Sequence, residues 1–178
     1  FILPNFIQIT LGKSSAIAGL AMLPGALIGA VLAPIGGRIL DHRGPKKPLL
    51  FGTLLALIGF FLLTFFIYLK APVPFLILGH VTFQIGSGIS YSNFITTAMN
   101  QLPKKLYNDG NSLFNTLQQF TGGIATSIVA SIIALFQHQK GSLPLTTQQG
   151  SVAAGSLLVL LLLFSFISIF SSQKKPLK

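Results

Sequence analysis

Two sets of uncharged polar residues repeat at intervals of three and four inside long apolar stretches. Such intervals place side chains on one face of a helix. Amides and hydroxyls at these positions can donate and accept hydrogen bonds, but they do not exchange protons near neutral pH. The chemistry predicted for the amides and hydroxyls of both faces is therefore recognition by hydrogen bonding rather than bond making. The two sets are His80, Gln84, Ser87 and Tyr91, and Asn111, Asn115, Gln118 and Gln119.

Two interpretations of these faces remain open. Polar side chains inside a membrane usually face the interior of a helical bundle or a water-filled cavity, so the faces could line a path for a small substrate. Alternatively, they could hold neighbouring helices together by hydrogen bonds. His80 lies near one end of its apolar stretch, and we expect it at the membrane interface rather than in a proton relay. The candidate cavity-lining residues are Gln84, Ser87, Tyr91, Asn115, Gln118 and Gln119.

Catalytic motifs are absent from the sequence. It contains no HExxH, GxSxG or P-loop pattern, and its two acidic residues, Asp41 and Asp109, are far apart in the chain. It has no cysteine, so neither a disulfide nor a cysteine-based zinc site is available. We predict no enzymatic activity, no bound metal and no cofactor.

The composition indicates a membrane protein. Charged residues make up 8% of the chain, against about 25% in soluble domains, and the mean hydropathy is +0.76. Five charge-free stretches are each long enough for the roughly 20 residues of a spanning helix. We therefore predict an all-α fold in a lipid bilayer, with residues 1–11 as the tail of a preceding helix. The predicted spans are 15–37, 49–69, 73–98, 112–136 and 152–170.

The basic residues predict the orientation of these spans. Nine of the 12 lie in the segments 38–47, 104–105 and 174–178, which face the same side of the membrane. Cytoplasmic loops are enriched in Lys and Arg, so these segments and the C-terminus are predicted to be cytoplasmic, in the cell membrane. Because the positive charge is spread over loops, the net charge of +10 does not predict nucleic-acid binding. The opposite side has Lys13, Lys70 and Lys140.

Prolines and glycines cluster in the first span. Gly25 and Gly29 form a small-xxx-small pair, which allows close approach of a neighbouring helix. Pro24 and Pro34 remove backbone donors and can bend the helix. We predict a bend and close packing here, although glycine and proline are also generally more common in membrane helices.

The loop after the first span reads GRILDHRGPKK, residues 37–47. It resembles the cytoplasmic signature G-x-L-x-D-R-x-G-R-[KR] of the major facilitator superfamily at Gly37, Asp41, Gly44, Lys46 and Lys47. It departs from that pattern at Ile39, His42 and Pro45, and Arg43 is expected to replace part of the missing charge. Residues 18–52 and 110–132 are similar to the corresponding segments of the family's fourteen-span drug:proton antiporters.

This resemblance implies that the chain is most of the C-terminal half of a facilitator-type transporter that works by alternating access. The implied partners are the missing N-terminal half and a small amphipathic substrate, with export driven by a proton gradient. No span carries an acidic or basic residue near its middle, so the proton carriers are expected in the missing half.

The resemblance also implies that the loop latches neighbouring helices in one state. Gly37 and Gly44 are expected to form a tight turn. Asp41 is expected to cap the second span and to pair with Arg38 or Arg43.

Two alternatives stay open from the sequence. One is another facilitator family, carrying a sugar or a metabolite. The other is a membrane protein that does not transport, either a structural protein that dimerises through Gly25 and Gly29 or the product of a degraded gene.

Overall fold

The computed structural model describes residues 1–43 and 46–172, and the side chains of residues 1–32 and 47–171. The described residues form helices and no strand, which confirms the predicted all-α class. Five helices are long and apolar enough to cross a membrane, as predicted. The helices are α1, Ile2–Asn5; α2, Ser15–Arg43; α3, Lys46–Tyr68; α4, Val73–Met99; α5, Tyr107–Gln137; and α6, Leu143–Ser172.

All five long helices extend beyond the ranges predicted from the sequence, and the differences are small for α3, which begins at Lys46 rather than at 49, and for α4, which ends at Met99 rather than at 98. α2 continues through Gly37 to Arg43, so the turn predicted at Gly37 is wrong. α5 begins at Tyr107 rather than at 112, and α6 begins at Leu143 rather than at 152. Most of the residues added to α2, α5 and α6 are polar or charged, a composition that is typical of loops in a membrane protein. A helix can continue past its apolar part because its backbone hydrogen bonds are internal and do not depend on side-chain polarity.

The first ten residues form a short helical segment within the bundle. α1 passes directly into a π-helical turn, Phe6–Thr10, and a loop with Gly12 at φ 61° leads to α2. Phe6 and Ile7 are fully buried. The segment is too short to span a bilayer, since each helical residue adds about 1.5 Å. Its role as the tail of a preceding helix stays a prediction.

α3 and α4 pack with their backbones in contact. A Cβ added at Gly52 of α3 would lie 2.7 Å from the backbone nitrogen of Ser90, and one at Gly86 of α4 would overlap the backbone of Ala56. Gly59 meets the backbone of Phe83 in the same way. Small residues permit such close approach between membrane helices. Close packing was predicted from the sequence at Gly25 and Gly29 of α2 but not at the glycines of α3.

The hydrophobic core lies at one end of the bundle. We call this the closed end; it is where α3 and α5 end, where α2, α4 and α6 begin, and where residues 69–72 and 138–142 connect the helices. At the opposite, open end, most side chains of α5 and α6 are exposed within this chain. The core consists of Ile2, Leu3, Phe6, Ile7, Ala18, Ala21, Leu63, Ile67, Leu76, Val129, Ile133 and Ala154.

Buried polar side chains reinforce the closed end. The amide nitrogen of Gln148 donates to the backbone oxygens of Ile67 at 3.1 Å and Tyr68 at 2.7 Å. These carbonyls belong to the last turn of α3, where the helix itself supplies few donors, and the Ile67 oxygen also accepts from the backbone nitrogen of Lys70 at 3.1 Å. Gln137 of α5 donates to the hydroxyl of Thr147 at 2.8 Å. The first turns of α6 therefore bind both α3 and α5, which explains why a polar stretch is helical and buried here.

Candidate functional site

The polar face of α4 divides between two environments along the helix. His80 and Gln84 pack against α2, whereas Ser87 and Tyr91 line an open cleft. None of the four is fully buried, and Tyr91 is 45% exposed. The four residues lie on one face of α4, as their spacing predicted. The helices that pack against this face differ from one end of α4 to the other.

The glycines of α2 receive the side chains of α4. A Cβ added at Gly25 would lie 2.6 Å from Cδ2 and 2.8 Å from Nε2 of His80. One added at Gly29 would lie 3.5 Å from the amide nitrogen of Gln84. A Cβ added at Gly88 of α4 would in turn lie 3.3 Å from the backbone oxygen of Gly29. α2 and α4 are thus in close contact through these small residues.

The cleft beside Ser87 and Tyr91 has a volume of about 580 Å³ and lies between α3, α4 and α6 at the open end. Hydroxyl groups and aromatic rings line it together. Some hydroxyls are already bonded to their own helix, as Thr53 is to the Leu49 oxygen at 2.7 Å, and keep only lone pairs for other donors. Besides the two predicted residues, the lining includes Thr53, Phe83, Ser90, Phe94, Phe164, Ser165 and Ser168.

The residues that α3 and α6 supply to this cleft were not predicted from the sequence. Ser165 and Ser168 stand three residues apart on α6, which is a helical repeat of hydroxyls that could have been noticed. Thr53 is a single hydroxyl in an apolar helix and carries no comparable signal.

A hydrogen bond joins the polar faces of α4 and α5. The hydroxyl of Tyr91 donates to the side-chain oxygen of Gln118, although the two helices make few other contacts. Two of the predicted residues therefore meet directly. Asn115 and Gln119 are exposed on α5, and so is Asn111 one turn earlier.

The polar face of α5 continues the face that packs into the core. Asn111, Asn115 and Gln118 are spaced in steps of four and three, and the same steps lead on to Val129 and Ile133, which are 5% and 2% exposed. Gly122 lies between them with nothing within 4 Å of an added Cβ. One face of α5 is therefore covered at the closed end and uncovered, with polar side chains, at the open end.

Asn93 of α4 is a further polar residue inside the bundle, and no role was predicted for it from the sequence. It is fully buried, and its amide nitrogen donates to the Ile89 oxygen at 2.5 Å. Its side-chain oxygen has no partner. Buried polar atoms usually have a hydrogen-bond partner, and this oxygen is an exception among the described residues.

A second cavity, of about 250 Å³, adjoins His80. It is partly open, and residues of α1 to α6 line it. Its lining contains no acidic residue, Lys or Arg. The residues around it are Phe1, Ile2, Leu3, Pro4, Met22, Phe60, Leu63, His80, Phe83, Ala125, Thr126, Val129 and Leu158.

The signature loop is only partly described. Gly37, Arg38, Asp41 and Arg43 lie on the last turns of α2, so Asp41 does not stand directly before α3 as the capping prediction assumed. Gly44 lies outside the described residues, Lys46 begins α3, and Lys47 is exposed. The side chains at 33–46 lie outside the described part, which also holds Pro34, so the latch, the ion pairs of Asp41 and the bend at Pro34 stay predictions. Pro24 lies within α2, which is helical on both sides of it.

Comparison with known families decides the class of this chain. The family model described as Major Facilitator Superfamily matches residues 1–126. The chain belongs to the major facilitator superfamily. This confirms the family predicted from the loop signature, and it confirms that the chain is a transporter-family protein rather than an enzyme. As a facilitator chain with five apolar helices it is a multi-pass membrane protein, surrounded by lipid.

Individual relatives of this facilitator chain are named for drug resistance. It is 34% identical over 136 residues to the lincomycin resistance protein LmrB of Listeria innocua, which covers 76% of the chain and 29% of that protein. It is 32% identical over 143 residues to LmrB of Bacillus subtilis, covering 77% of the chain and 28% of the relative. It is 30% identical over 142 residues to the multidrug resistance protein B homolog of Mycobacterium tuberculosis, covering 78% and 26% respectively. The chain thus spans less than a third of the relatives it matches.

Proposed function

We propose that the chain is part of a secondary transporter that exports small amphipathic drugs by alternating access, driven by a proton gradient. Its family and its relatives named for multidrug and lincomycin resistance support this proposal. The alternative of a sugar or metabolite carrier has no comparable support among those relatives. Facilitator transporters hold their substrate between two halves that move against each other near the middle of the bilayer.

The observation that carries the proposal is the polar, uncovered face shared by α4 and α5. The Tyr91–Gln118 hydrogen bond fixes the two helices beside one another, and Asn115 and Gln119 extend the polar surface along α5. Exposing amides to lipid is costly, so this face belongs against water or protein. We place the missing N-terminal half opposite this face, with the substrate path between the two.

The chemistry of this face suits weakly selective recognition. Amides and a phenol offer donors and acceptors without a fixed charge, and the neighbouring cleft adds the aromatic rings of Phe83 and Phe94. Ligand sites are typically apolar surfaces with a few orienting polar groups and volumes of roughly 300–1,000 Å³. A drug with an apolar ring system and several hydrogen-bonding groups fits that description.

An efflux assay on the complete transporter that contains this chain tests the proposal. Energised cells that express it should accumulate less lincomycin and less of a lipophilic cationic dye than cells without it, and a protonophore should abolish the difference. Gln118→Leu should reduce efflux at least several-fold. Phe120→Leu, on the opposite face of α5, is the matched control and should leave efflux unchanged, since Phe120 is 67% exposed and away from the polar face. Unchanged drug accumulation on expression of the wild-type protein would contradict the proposed activity.

We further propose that the C-terminus and the segments 38–47 and 104–105 are cytoplasmic. The distribution of nine of the 12 basic residues to that side supports this orientation. Because the chain has no cysteine, single cysteines introduced at Lys105 and Lys140 can report the side of each loop. A membrane-impermeant thiol reagent added to intact cells should label position 140 and not position 105.

The signature loop is proposed to act as a conformational latch, through Arg38, Asp41 and Arg43. The resemblance to the family signature supports this role. Neutralising Asp41 with Asn should lower the initial rate of drug transport in vesicles, because the latch acts on the equilibrium between conformational states, and an unchanged rate would contradict this role.

A further inference from the structure

A groove runs along the outer side of the contact between α3 and α6. Two open cavities, of about 380 and 350 Å³, follow each other along it and share Tyr68 and Val152. The lining residues lie within 61–68 of α3 and 145–160 of α6, so the groove starts at the closed end and continues towards the middle of the bundle. It shares no lining residue with the cleft beside Ser87 and Tyr91.

The groove has a closed floor and an aromatic wall. At the floor α3 and α6 touch, since a Cβ added at Gly155 would lie 2.7 Å from the hydroxyl oxygen of buried Thr64. The rings of Phe61 and Phe65 form the wall on α3; they are nearly parallel, with an angle of 6° and centroids 6.4 Å apart. On α6 the small, exposed side chain of Ser156 leaves the groove open. The groove is therefore a narrow apolar channel over two helices in direct contact.

The exposed side chains of α3 around this groove are all apolar. Every exposed residue of α3 between positions 51 and 65 is a Phe, Leu or Ile. The open end of α5, in contrast, exposes amides and hydroxyls. Helix surfaces without polar groups are suited to lipid, whereas polar surfaces belong against water or protein. The groove therefore opens to the bilayer, and the chains of lipids are the molecules available to fill it.

The groove becomes polar at the closed end. The hydroxyl of Tyr68, which is 64% exposed, and the amide of exposed Gln149 lie there, and neither group has a hydrogen-bond partner among the described residues. Both can donate to the phosphate oxygens of a lipid headgroup. The closed end also carries three exposed basic residues, whereas the two acidic residues of the chain lie at the open end. Basic residues beside a membrane attract anionic lipids, so this end is complementary to a negatively charged headgroup. The basic residues are Lys13, Lys70 and Lys140.

The length of the groove matches one leaflet of a membrane. Its lining on α6 begins at Leu145 and ends at Leu160, which is a rise of about 22 Å at 1.5 Å per residue. Half of a bilayer, with its headgroup region, measures about 20–22 Å. A phospholipid whose headgroup lies beside Tyr68 and Gln149 can therefore extend one chain along the whole groove.

We propose that this groove is a specific binding site for one anionic phospholipid of the leaflet at the closed end. One acyl chain lies against Phe61, Phe65 and Leu160, and the phosphate accepts hydrogen bonds from Tyr68 and Gln149. The neighbouring lysines select a headgroup with a net negative charge. The site lies on other residues than the proposed drug path, so this proposal stands independently of the proposed function.

Lipid binding to the complete transporter tests the proposal. The protein is freed of lipid in detergent and titrated with phosphatidylglycerol or phosphatidylcholine, and native mass spectrometry counts the bound molecules. Ser156→Phe fills the groove and should weaken phosphatidylglycerol binding at least fivefold, with a smaller effect on phosphatidylcholine. Leu163→Phe is the matched control, because Leu163 is exposed on the same face of α6 but lies beyond the groove. It should bind phosphatidylglycerol like the wild type. Other lipid sites of the transporter are the same in both variants, so their difference reports this groove.

Photolabelling of the wild type keeps the proposal testable if Ser156→Phe does not fold. A trace of phosphatidylglycerol with a photoreactive group in its acyl chain is added to vesicles of phosphatidylcholine that contain the complete transporter. Labelling should concentrate on residues 61–68 and 152–160, and excess phosphatidylglycerol should reduce it at least fivefold more than excess phosphatidylcholine does.

Three results would overturn the proposal. The first is equal phosphatidylglycerol binding by Ser156→Phe and Leu163→Phe. The second is an equal loss of both lipids in Ser156→Phe, which would show that the groove does not select a headgroup. The third is labelling that avoids the groove, which would show that another span of the complete transporter covers it.

Discussion

The close contact between α3 and α4 makes a quantitative prediction for Gly52→Ala. An added Cβ at this position would lie 2.7 Å from the backbone nitrogen of Ser90, whereas ordinary contacts begin at 3.4 Å. The two backbones must therefore move apart by about 0.7 Å, which is the difference between these distances. When packed atoms are separated by an additional 0.5–1 Å, roughly a quarter to a half of the dispersion energy between them is lost. Overpacking of this kind typically costs about 1–3 kcal/mol.

The change from glycine to alanine also has an intrinsic effect on helix stability. Alanine favours a helix over glycine by about 1 kcal/mol, which would partly offset the clash. Gly19→Ala on α2 supplies the matched control, because a Cβ there meets nothing within 4 Å. The comparison of the two variants cancels the intrinsic term. The stability of Gly52→Ala should fall below that of Gly19→Ala by about 1–3 kcal/mol.

Thermal unfolding of the complete protein in detergent measures this difference. For domains of similar size, 1 kcal/mol corresponds to a shift of about 2–4 °C in Tm, so Gly52→Ala should unfold several degrees below Gly19→Ala. The fraction that remains monodisperse by size-exclusion chromatography after heating gives the midpoint. Equal midpoints for the two variants would refute the backbone contact between α3 and α4 at Gly52.

Three further predictions concern particular contacts. Gln148→Leu removes the side-chain donor to the Tyr68 carbonyl and one of the two donors to the Ile67 carbonyl, and should cost about 1–3 kcal/mol in thermal unfolding. Exposed Gln149→Leu should cost nothing measurable, and equal losses would contradict the role of Gln148. Lys70 has a φ of 51°, a left-handed backbone conformation that costs a non-glycine residue about 1–2 kcal/mol. Lys70→Gly should therefore raise the Tm by a few degrees, and a lower Tm would argue against this backbone conformation. Tyr91→Phe removes the donor to Gln118 and should weaken drug binding several-fold in an equilibrium binding assay, an effect that should disappear when Gln118 is already Leu.

Much of the fold could be predicted from hydropathy and charge, because a membrane helix must be apolar over a fixed length. The starts of α5 and α6 could not. Residues 146–149 are polar, which favours a loop in a membrane protein, but Gln148 donates to carbonyls that belong to α3, some 80 residues earlier in the chain. A contact between segments so far apart in sequence leaves no local pattern. For the same reason, the packing of Gly52 against the backbone of α4 could not be predicted from the sequence.

The candidate site was predicted as two separate faces, and helical spacing alone justified that much. The sequence did not indicate that Tyr91 and Gln118 would meet, since the crossing of α4 and α5 depends on the rest of the bundle. The contact of His80 with Gly25 of α2 could not be predicted either, because it joins distant parts of the chain; the interfacial position expected for His80 stays a prediction.

The central claim is that the polar face of α5 lines a water-filled path for drug. Its most direct test is thiol labelling of Asn115→Cys and Leu113→Cys, introduced one at a time into a cysteine-free form of the complete transporter. Both positions are exposed within this chain, at similar depth and on different faces of α5. Our account predicts that a water-soluble thiol reagent labels position 115, that drug protects this position, and that position 113, which faces lipid, stays unlabelled. Faster labelling at 113 than at 115, or labelling at 115 that drug does not slow, would contradict it.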